Sequence, residues 1–183
     1  MKRYLRYGFF DSRLHTGPSG IDGTGIFTQA PIRHGETVMI WGGIPILKKD
    51  FDETKYRFSS VVPIDDLTYL GLPVEDTHES IDEYLNHSCD SNTWMNDDVT
   101  IVARRDIQKG EEITLDACLS DCDTEYAYLV AGTCACGSEH CRAVLTSKDW
   151  MDPQVQKRYQ GHFLPYIQEK IDNLRSRGGK PKL

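Results

Sequence analysis

Three cysteines lie within one short stretch, CACGSEHC at residues 134–141. Thiols grouped this closely suit a tetrahedral zinc ion, which would tie together a segment too short to form a core of its own. The alternative is a set of small buried hydrophobic residues, but buried cysteines seldom crowd in this way. Zinc needs a fourth ligand, and His140 adjoins Cys141, so the two would strain a shared tetrahedron. Spacing alone leaves that ligand open among the other thiols, Cys89, Cys118 and Cys122.

A second cluster, YLNHSCDSN at residues 84–92, places an asparagine, a histidine and a cysteine close together. This composition could indicate a thiol hydrolase. Neighbours in sequence rarely point at one substrate atom, however, and catalytic dyads usually come from separate segments. The cluster therefore does not predict a hydrolase by itself.

A third stretch, DGTGIF at residues 22–27, pairs two glycines at the start of a strand pattern. It fails the dinucleotide-binding fingerprint, because neither the third glycine nor a following helix is present. A plain turn explains it, but glycines at the start of a strand also let a flat ligand approach the backbone.

The elements that must position these clusters are mainly short strands. Runs rich in β-branched and aromatic residues, separated by turn formers, predict strands at residues 37–41, 57–64, 99–104 and 113–116. The pattern becomes helical near residue 152, where Asp152 can cap a helix that has Pro153 in its first turn and ends at Gly161. A second helix follows Pro165, and we expect its apolar residues, Ile167, Ile171 and Leu174, to pack onto the same domain.

Composition limits the class of protein. The chain has 183 residues, with 28 acidic against 21 basic side chains and a formal charge of −7. This balance argues against general nucleic-acid binding and leaves room for a basic partner. Neither a membrane-spanning stretch nor an export signal is visible. We therefore expect an intracellular protein, cytoplasmic or nuclear if eukaryotic, with reduced or metal-bound cysteines.

Taken in order, these pieces resemble the SET-domain protein-lysine methyltransferases that carry a cysteine-rich post-SET segment. The matching motifs are Gly-x-Gly at residues 23–27, Asn-His-Ser-Cys-x-x-Asn at 86–92, Gly-Glu-Glu-Ile-Thr-Leu-Asp at 110–116 and Cys-x-Cys-Gly-x3-Cys-Arg at 134–142. The resemblance covers about residues 20–145, and the chain after Trp150 is similar to the helical tail of some small stand-alone members.

The resemblance implies a mainly β, SET-like fold of small sheets with a pseudoknot, a zinc-binding post-SET loop and C-terminal helices. The implied divisions are a SET-like domain at 1–133, a post-SET zinc segment at 134–150, a helical extension at 151–175 and a disordered basic tail at 176–183.

The resemblance also implies transfer of a methyl group from S-adenosylmethionine to a lysine of a protein or peptide, with no membrane or direct nucleic-acid partner. The implied cofactor contacts are Gly23, Thr24, Gly25, Ile26, Asn86, His87, Val144 and Leu145. One structural zinc ion would be held by Cys89, Cys134, Cys136 and Cys141, which would pin the post-SET loop over the cofactor.

The chain departs from the family pattern at Ala117, where the motif that ends in Asp116 would continue with a tyrosine. The hydroxyl expected at the reaction centre is therefore missing. The explanations are a natural variant that uses another tyrosine, a protein that has lost activity, or an altered sequence. The candidate replacements are Tyr84, Tyr126 and Tyr128. The alternative functions are a catalytically impaired binding module and a zinc-stabilised interaction domain.

Overall fold

The computed structural model describes residues 3–122 and 132–176, which form short strands followed by two helices. The strands are β1 (Phe9–Phe10), β2 (Leu14–Pro18), β3 (Thr24–Thr28), β4 (Thr37–Ile40), β5 (Ile44–Leu47), β6 (Val62–Pro63), β7 (Thr68–Gly71), β8 (Asn86–His87), β9 (Thr93–Met95), β10 (Thr100–Ala103), β11 (Glu112–Leu115), β12 (Gly132–Thr133) and β13 (Val144–Leu145). The helices are α1 (Pro153–Arg158) and α2 (Pro165–Ser176).

These strands build small sheets, as the sequence predicts. Two sheets have four strands each, in the orders β1-β4-β10-β9 and β2-β3-β11-β8, and β5-β7-β6 and the pair β12-β13 complete the set. The fold class expected from the resemblance is therefore confirmed.

The pairing of β8 with β11 is parallel, whereas the other strand pairs of the described residues are antiparallel. Asn86 lies opposite Thr114, and His87 lies opposite Leu115. The Asn92 side chain accepts a hydrogen bond from the Thr114 backbone N–H at 2.9 Å and donates one to the Glu112 carbonyl at 2.7 Å. A buried side chain thus holds the two motif segments against each other, which is the crossing that the pseudoknot requires.

The predicted strand at residues 57–64 is wrong over its first half. Phe58–Ser60 forms a 3-10 turn, and only Val62–Pro63 is a strand. The Ser60 hydroxyl donates to the Arg57 carbonyl at 2.7 Å, which gives the backbone a local partner in place of a neighbouring strand. Pro63 lies on the edge strand of its sheet, where a missing N–H is tolerated.

The C-terminal helices pack onto the strands, as expected. Ile167 and Ile171 are buried in one core cluster with sheet residues such as Ile26 and Ile101, and Leu174 packs against that cluster. Among the described residues, no helix is long and apolar enough to cross a bilayer.

The start of α1 provides a first test. The Asp152 carboxylate accepts a hydrogen bond from the Gln154 N–H at 2.7 Å, which satisfies a donor at the start of the helix. We expect Asp152→Ala to lower the free energy of unfolding by about 1 kcal/mol in a urea titration. Asp152→Asn, which can still cap, should stay within a few tenths of a kcal/mol of wild type. Equal losses in both variants would contradict the capping role.

Candidate metal and cofactor site

Four cysteine sulfurs converge beside the parallel strand pair. The Sγ atoms of Cys89, Cys134, Cys136 and Cys141 all lie within 4.8 Å of one another. The Sγ atoms of Cys89 and Cys134 are 3.9 Å apart. Zinc–thiolate bonds of about 2.3 Å in a tetrahedron place sulfurs about 3.8 Å apart, so this spacing fits a zinc ion. His140, Cys118 and Cys122 are not part of this group.

Backbone and ring N–H groups point at these sulfurs. The Arg142 N–H donates to Cys89 Sγ at 3.3 Å, and the Ala143 N–H donates to Cys141 Sγ at 3.4 Å. Ala143 adopts a φ of 62°, which is unusual for a residue with a side chain. This turn aims two successive N–H groups at the cluster, where they would stabilise thiolates.

The His87 imidazole also belongs to the surroundings of the cluster. Its Nδ1 accepts a hydrogen bond from the Ala117 N–H at 3.1 Å, and its Nε2 lies 3.2 Å from Cys89 Sγ. Burial lowers the pKa of His87, so the neutral ring carries its proton on Nε2 and donates it to the sulfur. A cofactor contact at His87 would therefore come from its backbone rather than from its ring.

The pKa values of the clustered thiols show how costly it would be to ionise all four of them without a cation. Burial raises the pKa of Cys89, and it raises the pKa of Cys134 to about 11. Burial acts in the same direction on Cys136, but hydrogen bonds from Ser138, Cys89 and Cys134 together outweigh it and bring the pKa to about 6. Four thiolates this close would repel one another, and a divalent cation at their centre would remove that repulsion.

Arg142 connects the cluster to the end of β11. Its guanidinium donates two hydrogen bonds, of 2.6 and 2.7 Å, to the fully buried Asp116 carboxylate and a third, of 2.7 Å, to Asp149. Burial alone would raise the pKa of Asp116, but the guanidinium outweighs it and the net pKa is lowered. Asp116 therefore stays ionised beside Ala117. The Arg142 side chain joins the end of β11 to Asp149, and the backbone N–H of the same residue contacts the cysteine cluster.

The start of β3 lies against β8. The Asn86 Nδ2 donates to the carbonyls of Asp22 and Thr24, at 3.0 and 3.2 Å, and to Glu112 Oε1 at 2.8 Å. The residues expected at the amino-acid end of a cofactor, Gly23, Thr24, Gly25, Ile26 and Asn86, are thus brought together. In the post-SET strand β13, Val144 is 59% exposed and Leu145 is buried, so Val144 presents the freer apolar surface of the pair.

Of the tyrosine candidates, Tyr84 is described: it is the last residue of a 3-10 turn (Ile81–Tyr84) just before β8, and it is 47% exposed. Tyr126 and Tyr128 lie outside the described residues.

Sequence reasoning assigned no role to Arg142 or Glu112, although both stand in the quoted motifs.

Comparison with known proteins bears directly on this arrangement. Residues 23–116, about half of the chain, match the family model described as the SET domain. The chain is 30% identical over 160 residues to histone-lysine N-methyltransferase ATX2 of Arabidopsis thaliana, an alignment that covers 80% of this chain and 14% of that protein. Histone H3-lysine(4) N-trimethyltransferase ATX1 of the same plant is 30% identical over 165 residues, with 80% and 14% covered. Histone-lysine N-methyltransferase ASHH3 is 30% identical over 141 residues, with 69% and 36% covered. The chain thus spans only a minor part of the length of these relatives.

Proposed function

This chain belongs to the SET-domain family, and on that premise we propose that it transfers a methyl group from S-adenosylmethionine to a lysine side chain of a protein. The observation that carries the proposal is the parallel register of β8 on β11, which brings Asn86 to the start of β3 and Cys89 to the cysteine cluster. When bound, S-adenosylmethionine supplies a methyl group on a positive sulfonium, which a neutral lysine amine can attack in line.

The residues that would hold the cofactor are backbone groups and one amide. Residues 23–26 would face its methionine part, the Asn86 amide its ammonium group, and the His87 backbone its adenine end. Val144, or Leu145 beside it, would cover the adenine from the post-SET side. One zinc ion on Cys89, Cys134, Cys136 and Cys141 would keep that side in place, since the four sulfurs fit its tetrahedron.

We propose a basic protein tail as the substrate. The chain carries a formal charge of −7, which favours approach of a cationic segment. The names of the relatives specify histone lysines, so histone tails are the first substrates to try. Such a substrate would place the activity inside the cell, in the nucleus if the protein is eukaryotic.

The decisive experiment is methyl transfer followed by mass spectrometry. The full chain is incubated with S-adenosylmethionine carrying a deuterated methyl group and with histone H3 or a protein mixture. We expect labelled methyl-lysine, and we expect S-adenosylhomocysteine to raise the melting temperature, because it binds the folded state only. Binding without transfer would indicate a non-catalytic module. Neither binding nor transfer would indicate a zinc-stabilised interaction domain.

Ala117 provides a second test of the reaction centre. We expect Ala117→Tyr to raise the transfer rate by about tenfold to a hundredfold, because one hydrogen bond to a charged or developing centre is worth about 1.5–3 kcal/mol. Ala117→Phe is the matched control, since it adds the ring without the hydroxyl. An unchanged rate in Ala117→Tyr would show that another group already fills the role of the missing hydroxyl. Equal rates in both variants would show that the ring acts rather than the hydroxyl.

A further inference from the structure

We propose that Glu112 is a positioning residue for the cofactor, which fixes the Asn86 amide and the turn before β3 in the form that receives an amino-acid ammonium group. This inference rests on the proposed function, because it assigns a task to Glu112 within the same site. Glu112 is the first residue of β11 and pairs with Phe27 of β3, so its side chain starts from the sheet rather than from a loop.

The Glu112 carboxylate organises the turn that precedes β3. The Ser19 hydroxyl donates to its two oxygens, at 2.8 and 3.0 Å. The same hydroxyl oxygen accepts hydrogen bonds from the N–H groups of Ile21 and Asp22, at 2.9 and 3.3 Å. Through Ser19, the Glu112 carboxylate therefore fixes the backbone of residues 19–22, which directly precede the two glycines.

Glu112 also determines which way the Asn86 amide faces. The Nδ2 atom of Asn86 has three oxygen partners, the Glu112 carboxylate and the carbonyls of Asp22 and Thr24, and all three are acceptors. The NH2 group must therefore point toward them, and the carbonyl oxygen Oδ1 faces the other way. Asn86 Oδ1 can accept a hydrogen bond from an ammonium group, and the negative charge of the Glu112 carboxylate on the other side of the amide favours a cation there.

The second glycine of the DGTG stretch is explained by the same carboxylate. A Cβ placed on Gly25 would lie 2.2 Å from Glu112 Oε1 and 2.7 Å from Glu112 Cδ. Gly25 does not have a positive φ, so its need for glycine is steric. The glycine at this position makes room for the carboxylate, whereas the sequence alone suggested room for a ligand.

The first experiment separates positioning from general stability by comparing two ligands. S-adenosylhomocysteine carries the amino-acid end, and methylthioadenosine has the same adenosine part without it. We expect Glu112→Ala to weaken S-adenosylhomocysteine binding about tenfold or more, and methylthioadenosine binding by less than about twofold, in titration calorimetry of the full chain. Glu112→Gln, which keeps the shape of the side chain, should lie between wild type and Glu112→Ala. Equal weakening of both ligands, or no weakening, would overturn the inference.

The second experiment needs only S-adenosylhomocysteine. We expect Gly25→Ala to weaken binding strongly in the wild-type background and by less than about twofold once Glu112→Ala has removed the two closest atoms, which leaves the Ser19 Cβ at 3.1 Å as the nearest neighbour. Gly20→Ala is the matched control and should leave affinity unchanged, because a Cβ there meets no heavy atom within 4 Å. Additive losses in the double variant would overturn the inference. Failure of the wild-type chain to bind S-adenosylhomocysteine would instead reject the proposed function.

Discussion

Replacement of Cys89 by serine is expected to abolish zinc binding and to lower the melting temperature by about 8–16 °C. Loss of a metal site is among the few single changes that cost about 4 kcal/mol or more, and each kcal/mol corresponds to about 2–4 °C in a chain of this size. Cys89 is fully buried beside the parallel strand pair, whereas the other three thiols lie in the segment at residues 134–141. Its sulfur is therefore the one that would attach that segment to the SET domain.

Apart from the Arg142 ion pairs, regular structure gives the post-SET segment little support. Among the described residues its only strand is β13, which pairs with β12 over two residues. A two-residue ladder cannot hold a segment in water by itself. We therefore expect the loss of zinc to free Val144, the residue proposed to cover the adenine, and to weaken S-adenosylhomocysteine binding as well.

The measurements are zinc per chain by plasma mass spectrometry, the melting temperature, and S-adenosylhomocysteine affinity before and after chelation. The matched control is Cys122→Ser, because Cys122 is a partly buried thiol outside the group of four. Wild type and the control should each carry one zinc ion. One zinc ion per chain in Cys89→Ser, or unchanged affinity after proven zinc loss, would contradict the prediction.

The sequence predicts three of the four cysteines of the cluster from their spacing, but not Cys89. The close spacing of Cys134, Cys136 and Cys141 indicated a metal site directly, but spacing left three thiols as candidates for the fourth ligand. Only the family resemblance selected Cys89. Physically, that thiol reaches the others because β8 runs parallel to β11, and a parallel pair two residues long leaves no periodic pattern in the sequence.

The other elements follow the same rule: those with local sequence signals were predicted, and those that depend on distant contacts or very short pairings were not. The α1 and α2 helices were predictable because local residues mark their starts: Asp152 and Pro153 for α1, and Pro165 for α2. Gly161, with a φ of +81°, lies between them, three residues beyond the end of α1. By contrast, β1 and β8 span two residues each, too few for alternation to appear. The role of Glu112 depends on contacts with Ser19 and Asn86, which lie 93 and 26 residues away in the chain, and local patterns do not report such contacts.

The Arg142–Asp116 pair should be the most costly interaction to break outside the four-cysteine cluster. The Asp116 side chain is 0% exposed, and that of Arg142 is 13% exposed. We expect Arg142→Met, which keeps much of the apolar stem, to lower the free energy of unfolding by about 3–5 kcal/mol, because it leaves a buried carboxylate without its counter-charge. Urea unfolding at neutral pH measures this loss.

The pair offers two matched comparisons. Arg105→Met removes a surface partner of Glu111, where the side chains are 50% and 31% exposed, and should cost less than about 1 kcal/mol. Asp116→Asn combined with Arg142→Met removes both charges of this pair and should recover part of the loss, since the fully buried carboxylate is no longer charged. Equal costs for Arg142→Met and Arg105→Met would show that burial of the pair is energetically unimportant.

Breaking this pair should also affect the metal, because Arg142 follows Cys141 directly and its backbone N–H donates to Cys89 Sγ. Without the guanidinium that anchors residue 142 to Asp116 and Asp149, the turn that aims N–H groups at the cluster is freed. We therefore expect Arg142→Met to release zinc to a chromogenic chelator faster than wild type, while Arg105→Met releases it at the wild-type rate. Unchanged release from Arg142→Met would mean that the sulfurs hold the metal without this anchor, and that the metal site and the end of β11 are independent.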